Sequence, residues 1–148
     1  MLPQTPRVLV TKSAEETEEF AEELGKTLTN EVLILHGELG AGKTTFVRGL
    51  ARGLEVKSRI QSPTFTYQRI HEGRTKLYHF DCYRLEKRDL LLEEEVEDAI
   101  HRHDGVVVIE WPERVSEALP HERIDIYFVH GSNDERTLTL VQSDESDT

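Results

Sequence analysis

Residues Gly37-Glu38-Leu39-Gly40-Ala41-Gly42-Lys43-Thr44 fill the pattern G-x-x-x-x-G-K-[ST] at every fixed position. Each residue type there has a chemical task. The glycines let the backbone turn tightly and bring its N–H groups against phosphate oxygens. Lys43 supplies a cation to the β and γ phosphates and is expected to be a partly exposed ligand group, and the Thr44 hydroxyl is placed to ligate Mg²⁺. Thr45 completes the stretch, and the helix that starts there adds its positive N-terminal end. A chance match in a chain of this length is on the order of one in two hundred at average residue usage. The motif reads as a phosphate cradle for a nucleotide.

Such a loop needs a carboxylate to hold the metal or activate water, usually from the carboxyl end of a neighbouring strand. Two residues qualify. Glu110 ends the apolar run Gly105-Val-Val-Val-Ile-Glu, and Asp81 ends Lys76-Leu-Tyr-His-Phe-Asp, where alternation puts it on one face with His79 and Leu77. Either could touch the metal directly while the other acts through water. No convincing general base for an attacking water stands out.

The elements that must carry these groups follow from the hydrophobic pattern. Residues 7–11 read as a short strand, and Ser13 with Glu16 forms a capping box that opens a helix whose Phe20, Leu24 and Leu28 recur at helical spacing. Residues 31–36 and 105–110 are unbroken apolar strands of the kind covered on both faces. Between them come a helix over 43–54 with Phe46, Val47, Leu50 and Leu54 inward, a loop over 56–64, strands at 65–70 and 75–80 joined as a hairpin, and an acidic helix over 88–102. Pro112 opens a short helix ending before Pro120, and strands at 123–130 and 136–142 close the chain. Residues 1–142 are expected to form one ATPase domain, and 143–148 (SDESDT) a disordered acidic tail.

The chain has 148 residues, enough for one ordinary domain, and a formal charge of −11. That charge argues against a broad nucleic-acid face and leaves room for docking on a basic partner. Arg48, Arg52, Lys57 and Arg59 could form only a local basic strip. The single cysteine, Cys82, excludes an internal disulfide and reads as a small buried hydrophobe. The opening MLPQTPRVLVTKSAEE lacks a signal-peptide layout, and no run reaches membrane-span length, so a cytoplasmic protein without a membrane role is expected. The seven histidines show no metal-ligand spacing.

Four segments in order, Gly37–Thr45, Ser62-Pro63-Thr64-Phe65, His79-Phe-Asp-Cys-Tyr-Arg84 and Glu110-Trp-Pro-Glu113, resemble the bacterial TsaE (YjeE) family of tRNA threonylcarbamoyladenosine biosynthesis ATPases across roughly residues 7–142. The resemblance implies a single-domain α/β P-loop NTPase fold, with a mostly parallel central sheet, flanking helices and additional antiparallel strands. It implies a weak ATP hydrolase, dependent on Mg²⁺, in the pathway that modifies N6 of adenosine 37 of tRNA. The partner would be the TsaD–TsaB heterodimer, with tRNA reached indirectly in the larger assembly. It carries the cradle onto Gly37–Thr45, a metal role onto Thr44 and Glu110 and an essential acid onto Asp81. It marks Ser62–Phe65 as a switch-like loop, whose plain alternative is a connection stiffened by Pro63. It also places Ser13 on the adenine side, although capping explains Ser13 by itself. Trp111 packs near the nucleotide, lines a partner surface or simply fills the core. Other readings remain: a P-loop small-molecule kinase, for which the scattered arginines offer no lid cluster, and a nucleotide-dependent switch without its own turnover. GTP is disfavoured, because neither N-K-x-D nor D-x-x-G occurs.

Overall fold

A computed structural model describes residues 6–38, 40–58, 60 and 67–143. Leu39 and the segment Ser62–Phe65 therefore lie outside the described residues, as do Arg59 and residues 144–148. In chain order the elements are β1 (Arg7–Thr11), α1 (Ala14–Gly25), β2 (Val32–His36), α2 (Lys43–Gly53), β3 (Gln68–His71), β4 (Lys76–Asp81), α3 (Leu90–Arg102), β5 (Gly105–Glu110), a 3-10 helix (Pro112–Ala118), β6 (Arg123–His130) and β7 (Arg136–Ser143). The last strand runs one residue further than expected, because Ser143 still pairs with Arg123.

The seven strands form one sheet in the order β1-β7-β6-β2-β5-β4-β3. The inner four, β6, β2, β5 and β4, are mutually parallel. Antiparallel strands flank them, β7 and β1 on one side and β3 on the other. This is the mixed α/β domain with a mostly parallel centre that the resemblance implies. The continuous apolar runs have a plain cause, since the inner strands are covered on both faces. Leu33, Leu35, Val106, Val108 and Ile126 pack with Phe46, Val47 and Leu50 of α2 and with Ala21 of α1. Ile34, Val107, Ile109, Tyr78 and Phe80 pack on the opposite face with Leu92 and Val96 of α3 and Val115 of the 3-10 helix. Each such side chain removed from water contributes roughly 1.5–3 kcal/mol.

Helix ends follow local chemistry. Ser13 Oγ accepts the Glu16 N–H at 3.1 Å, but the Glu16 carboxylate accepts from the Lys12 N–H at 2.8 Å, so the capping box closes one residue further back than the standard pattern. Asp89 caps α3 through the Leu92 N–H at 3.0 Å, which moves the start of that helix two residues beyond the expected one. His101 and His103 are exposed at its far end, and His103 takes the left-handed conformation that ends the helix. Among the described residues no helix is long and apolar enough to cross a membrane.

Candidate nucleotide and metal site

β2 is the central strand of the sheet, and the glycine loop leaves its carboxyl end between β6 and β5. Gly42 precedes α2 with φ 105°, a left-handed value that a side chain tolerates poorly. The three helices differ at this end. α1 and α3 are each closed by a side-chain cap and carry acids in the first turn, whereas α2 has no side-chain cap and no acid there. An anion drawn to that end by the helix dipole would meet neither a capping side chain nor a first-turn acid. Ala41 is buried, Gly42, Thr44 and Thr45 are half-buried, and Glu38 and Gly40 are exposed.

Lys43 departs from the partly exposed ligand expected of it, being only 5% exposed. Its ammonium donates to the Gly37 carbonyl at 2.6 Å and lies 3.8 Å from the centre of the Trp111 ring. Burial pulls its pKa down, against the opposing pull of Glu110, Asp81, Glu113 and Glu38. The cover is Trp111, whose φ of 56° is rare for a bulky residue. That conformation turns the chain out of β5 and lays the indole over the ammonium, a cation–π contact. Trp111 also touches Tyr83, with ring centres 5.0 Å apart. Trp111 is partly buried against the core cluster of β4, β5 and α3, so it fills the core while lying over Lys43.

The two carboxylates meet. β4 and β5 are parallel in a register that sets Asp81 directly beside Glu110. Glu110 is 3% exposed and its Oε2 is 2.5 Å from His79 Nε2. Asp81 Oδ1 accepts the Tyr83 N–H at 3.1 Å. Burial raises the Asp81 pKa, the Glu110 charge raises it further, and the Tyr83 N–H, His79 and Lys43 pull it back. Two neighbouring acids facing one buried lysine make a place that favours an added cation. Among the described residues no group of three or more His, Cys, Asp or Glu could hold a metal. Asp81 and Glu110 are oxygen donors of the kind Mg²⁺ takes alongside water and phosphate.

Ser13 caps α1, two residues past Thr11, whose strand partner is Arg136. Sequence reasoning passed over Arg136, and it stands at the loop. Its Nη2 is 3.4 Å from the Gly40 carbonyl, a Cβ on Gly42 would sit 3.5 Å from its Nε, and that Nε is buried without a hydrogen-bond partner among the described residues. Nothing in the local sequence marks it, because only the β1-β7-β6-β2 order brings the start of β7 to the cradle. His79 was placed on the Asp81 face by alternation, but its bond to Glu110 across two strands was not visible. Beside the loop lies a cavity of about 450 Å³ lined by Gly37, Glu38, Ala41, Trp111, Pro112 and Phe128. The basic strip is partly neutralised, since Arg52 pairs with Glu18 at 2.9 Å and Glu22 at 3.2 Å. Cys82 is buried, as expected of a small hydrophobe.

Residues 11–138 match the family model for threonylcarbamoyl adenosine biosynthesis protein TsaE. The chain is 38% identical over 132 residues to the tRNA threonylcarbamoyladenosine biosynthesis protein TsaE of Treponema pallidum, covering 88% of this chain and 97% of that protein. It is 42% identical over 113 residues to the protein of that name in Bacillus subtilis, covering 74% and 68%. With the one from a Nostoc species it shares 43% over 121 residues, covering 79% and 74%. The crystal structure of Bacillus subtilis YdiB superposes with a TM-score of 0.76 at 33% identity, over 96% of this chain and 88% of that one.

Proposed function

Because the chain belongs to the TsaE family of tRNA threonylcarbamoyladenosine biosynthesis proteins, we propose that it is a cytoplasmic Mg²⁺-dependent ATPase serving threonylcarbamoylation of N6 of adenosine 37 in tRNA. It acts on a TsaD–TsaB complex, and tRNA is met only within that assembly. The observation that carries the reading is the meeting of an uncapped α2, a buried Lys43 and the in-register pair Asp81 and Glu110 at one edge of the sheet.

In this reading the loop N–H groups from Gly37 to Thr45 bind the phosphate oxygens, and Lys43 places its charge between the β and γ phosphates. The Thr44 hydroxyl and the carboxylates of Glu110 and Asp81 would hold Mg²⁺, which when bound would supply positive charge to neutralise the phosphates. Trp111 covers one side of Lys43, Arg136 stands against the loop at Gly40, and Ser13 would lie on the adenine side. The Glu110 carboxylate is already engaged by His79 and Asp81 is assigned to the metal, so among the described residues no dedicated base for the attacking water stands out. Turnover is therefore slow in the isolated protein and faster when the partner completes or orders the site.

The test is ATP turnover with and without TsaD–TsaB, for the native chain, Lys43→Ala and the volume-keeping Lys43→Met. The native chain should hydrolyse ATP slowly alone and faster with the complex. Both variants should lose turnover while keeping a native circular dichroism spectrum. Fast turnover by the native monomer, or a native rate in Lys43→Met, would count against the assignment.

A further inference from the structure

We propose that His79 is the positioning residue of the metal site: it sets the Glu110 carboxylate so that the protein binds Mg²⁺ tightly alongside ATP. The inference rests on the ATP–Mg²⁺ reading above. His79 is fully buried in β4, opposite Val108 of β5, and reaches diagonally to Glu110 two residues further along that strand. Its Nε2 lies 2.5 Å from Glu110 Oε2, while its Nδ1 has no hydrogen-bond partner among the described residues.

A histidine kept only for packing would be an odd choice here. Its strand neighbours are Val108 on β5 and Arg69 on β3, and a buried ring nitrogen without a partner costs stability that a leucine would not. The bond to Glu110 is what the imidazole provides. A glutamate has three side-chain torsions, and the last is broad. Left alone, ordering it around a cation would cost entropy at the moment of binding. With Oε2 held by Nε2, the carboxylate is oriented beforehand and Oε1 is left for the ion. Asp81 is fixed independently by the Tyr83 N–H, so the two acids are oriented by different groups. The geometry requires only that Nε2 donate, whatever the charge on the ring. Partners of this kind behind metal ligands are typically worth about 10- to 100-fold in metal affinity.

Two substitutions separate this role from packing. His79→Leu fills the space without a donor. His79→Gln places an amide N–H near the position of Nε2. For the full chain, ATP affinity is measured by titration calorimetry in EDTA and at a series of free Mg²⁺ concentrations, with thermal unfolding recorded in EDTA. In His79→Leu the Mg²⁺ concentration at half of the affinity gain should rise by about 10- to 100-fold, while ATP affinity in EDTA stays native. In His79→Gln the midpoint should return toward native. A native midpoint in His79→Leu, or a His79→Gln midpoint shifted as far as that of His79→Leu, overturns the inference. Should His79→Leu fail to fold, the His79→Gln midpoint decides in the same way, native for and shifted against. A native chain that binds no ATP at any Mg²⁺ concentration would overturn the ATP–Mg²⁺ reading and this inference with it. Native Mg²⁺-dependent binding that the Leu variant preserves would overturn the inference alone.

Discussion

Asp81→Asn should make the metal-free protein more stable while removing its response to Mg²⁺. Asp81 and Glu110 occupy facing positions on adjacent parallel strands, which run about 4.8 Å apart. Two charges about 5 Å apart repel by about 0.8 kcal/mol in water and about 3 kcal/mol at the effective dielectric of a protein surface. Asp81 is half-buried and Lys43 offsets part of the repulsion. Asparagine keeps an oxygen for the Tyr83 N–H, so that hydrogen bond survives the change. The net gain expected is about 1 kcal/mol, or roughly 2–4 °C in melting temperature for a chain of this size. The pH dependence has a definite sign. Burial and Glu110 raise the Asp81 pKa in the folded state, so the fold binds that proton more readily than the unfolded chain does. The destabilisation is present where Asp81 is ionised, above its folded pKa, and is relieved as pH falls through it. The stability gap between variant and native protein is therefore widest near neutrality and narrows toward acid. Urea unfolding in EDTA, compared at equal m-values across that range, measures the gap. A variant less stable than the native protein near neutrality, or a gap that widens in acid, would refute the reasoning.

Two further outcomes follow from packing. Gly49 lets α2 lie against the backbone of α1, because a Cβ there would collide with the Glu18 carbonyl oxygen and sit 2.8 Å from the Glu18 Cα. Gly49→Ala should therefore destabilise by up to about 2 kcal/mol, as a clash with backbone puts the overpacking cost toward the upper end of about 1–3 kcal/mol, above a helix-propensity gain of about 1 kcal/mol; a raised urea midpoint would contradict this. The Cys82 thiol, buried and pushed up to about 12 chiefly by burial, should resist a thiol reagent in the native protein and react fully in denaturant. Native-state labelling at the rate of a free thiol would show the site to be open.

Much of this was legible before any coordinates, for physical reasons particular to each segment. The run Val32–Leu35 is apolar at every position because the strand is covered on both faces, and the same holds for Val106–Ile109. The cradle was legible because its glycines and Lys43 are dictated by local backbone geometry. Ser13 could be read as a cap because capping acts over three residues. What stayed hidden depends on strands meeting that are distant in the chain. Arg136 reaches the loop only because β7 and β6 stand beside β2. The burial of Lys43 depends on one positive φ at Trp111, which nothing in the composition announces. The partial neutralisation of the basic strip is likewise hidden, because helix spacing alone does not show that Glu18 and Glu22 of α1 reach across to Arg52.

The carboxylate pair shows how the hidden part is nonetheless built from ordinary contacts. β4 is buried on both faces, with Leu77 and His79 toward one and Tyr78 and Phe80 toward the other, so burial discriminates weakly between registers one residue apart. The entrance of the strand supplies what burial does not. Tyr78 donates its hydroxyl proton to Asp104 Oδ1 at 2.7 Å, and the Lys76 ammonium lies 3.4 Å from Asp104 Oδ2. The Thr75 hydroxyl donates to the Asp104 carbonyl at 3.0 Å. These three contacts hold the start of β4 against the start of β5 in the pairing Lys76 with Gly105. Counting along two parallel strands from that pair brings Asp81 level with Glu110. A slip of one residue would turn Asp81 to the other face, away from Lys43, and leave Glu110 beside an apolar side chain. The placement of Asp81 and Glu110 at the carboxyl edge thus depends on polar contacts at the opposite edge of the sheet, five residues away, which touch neither the glycine loop nor the two carboxylates.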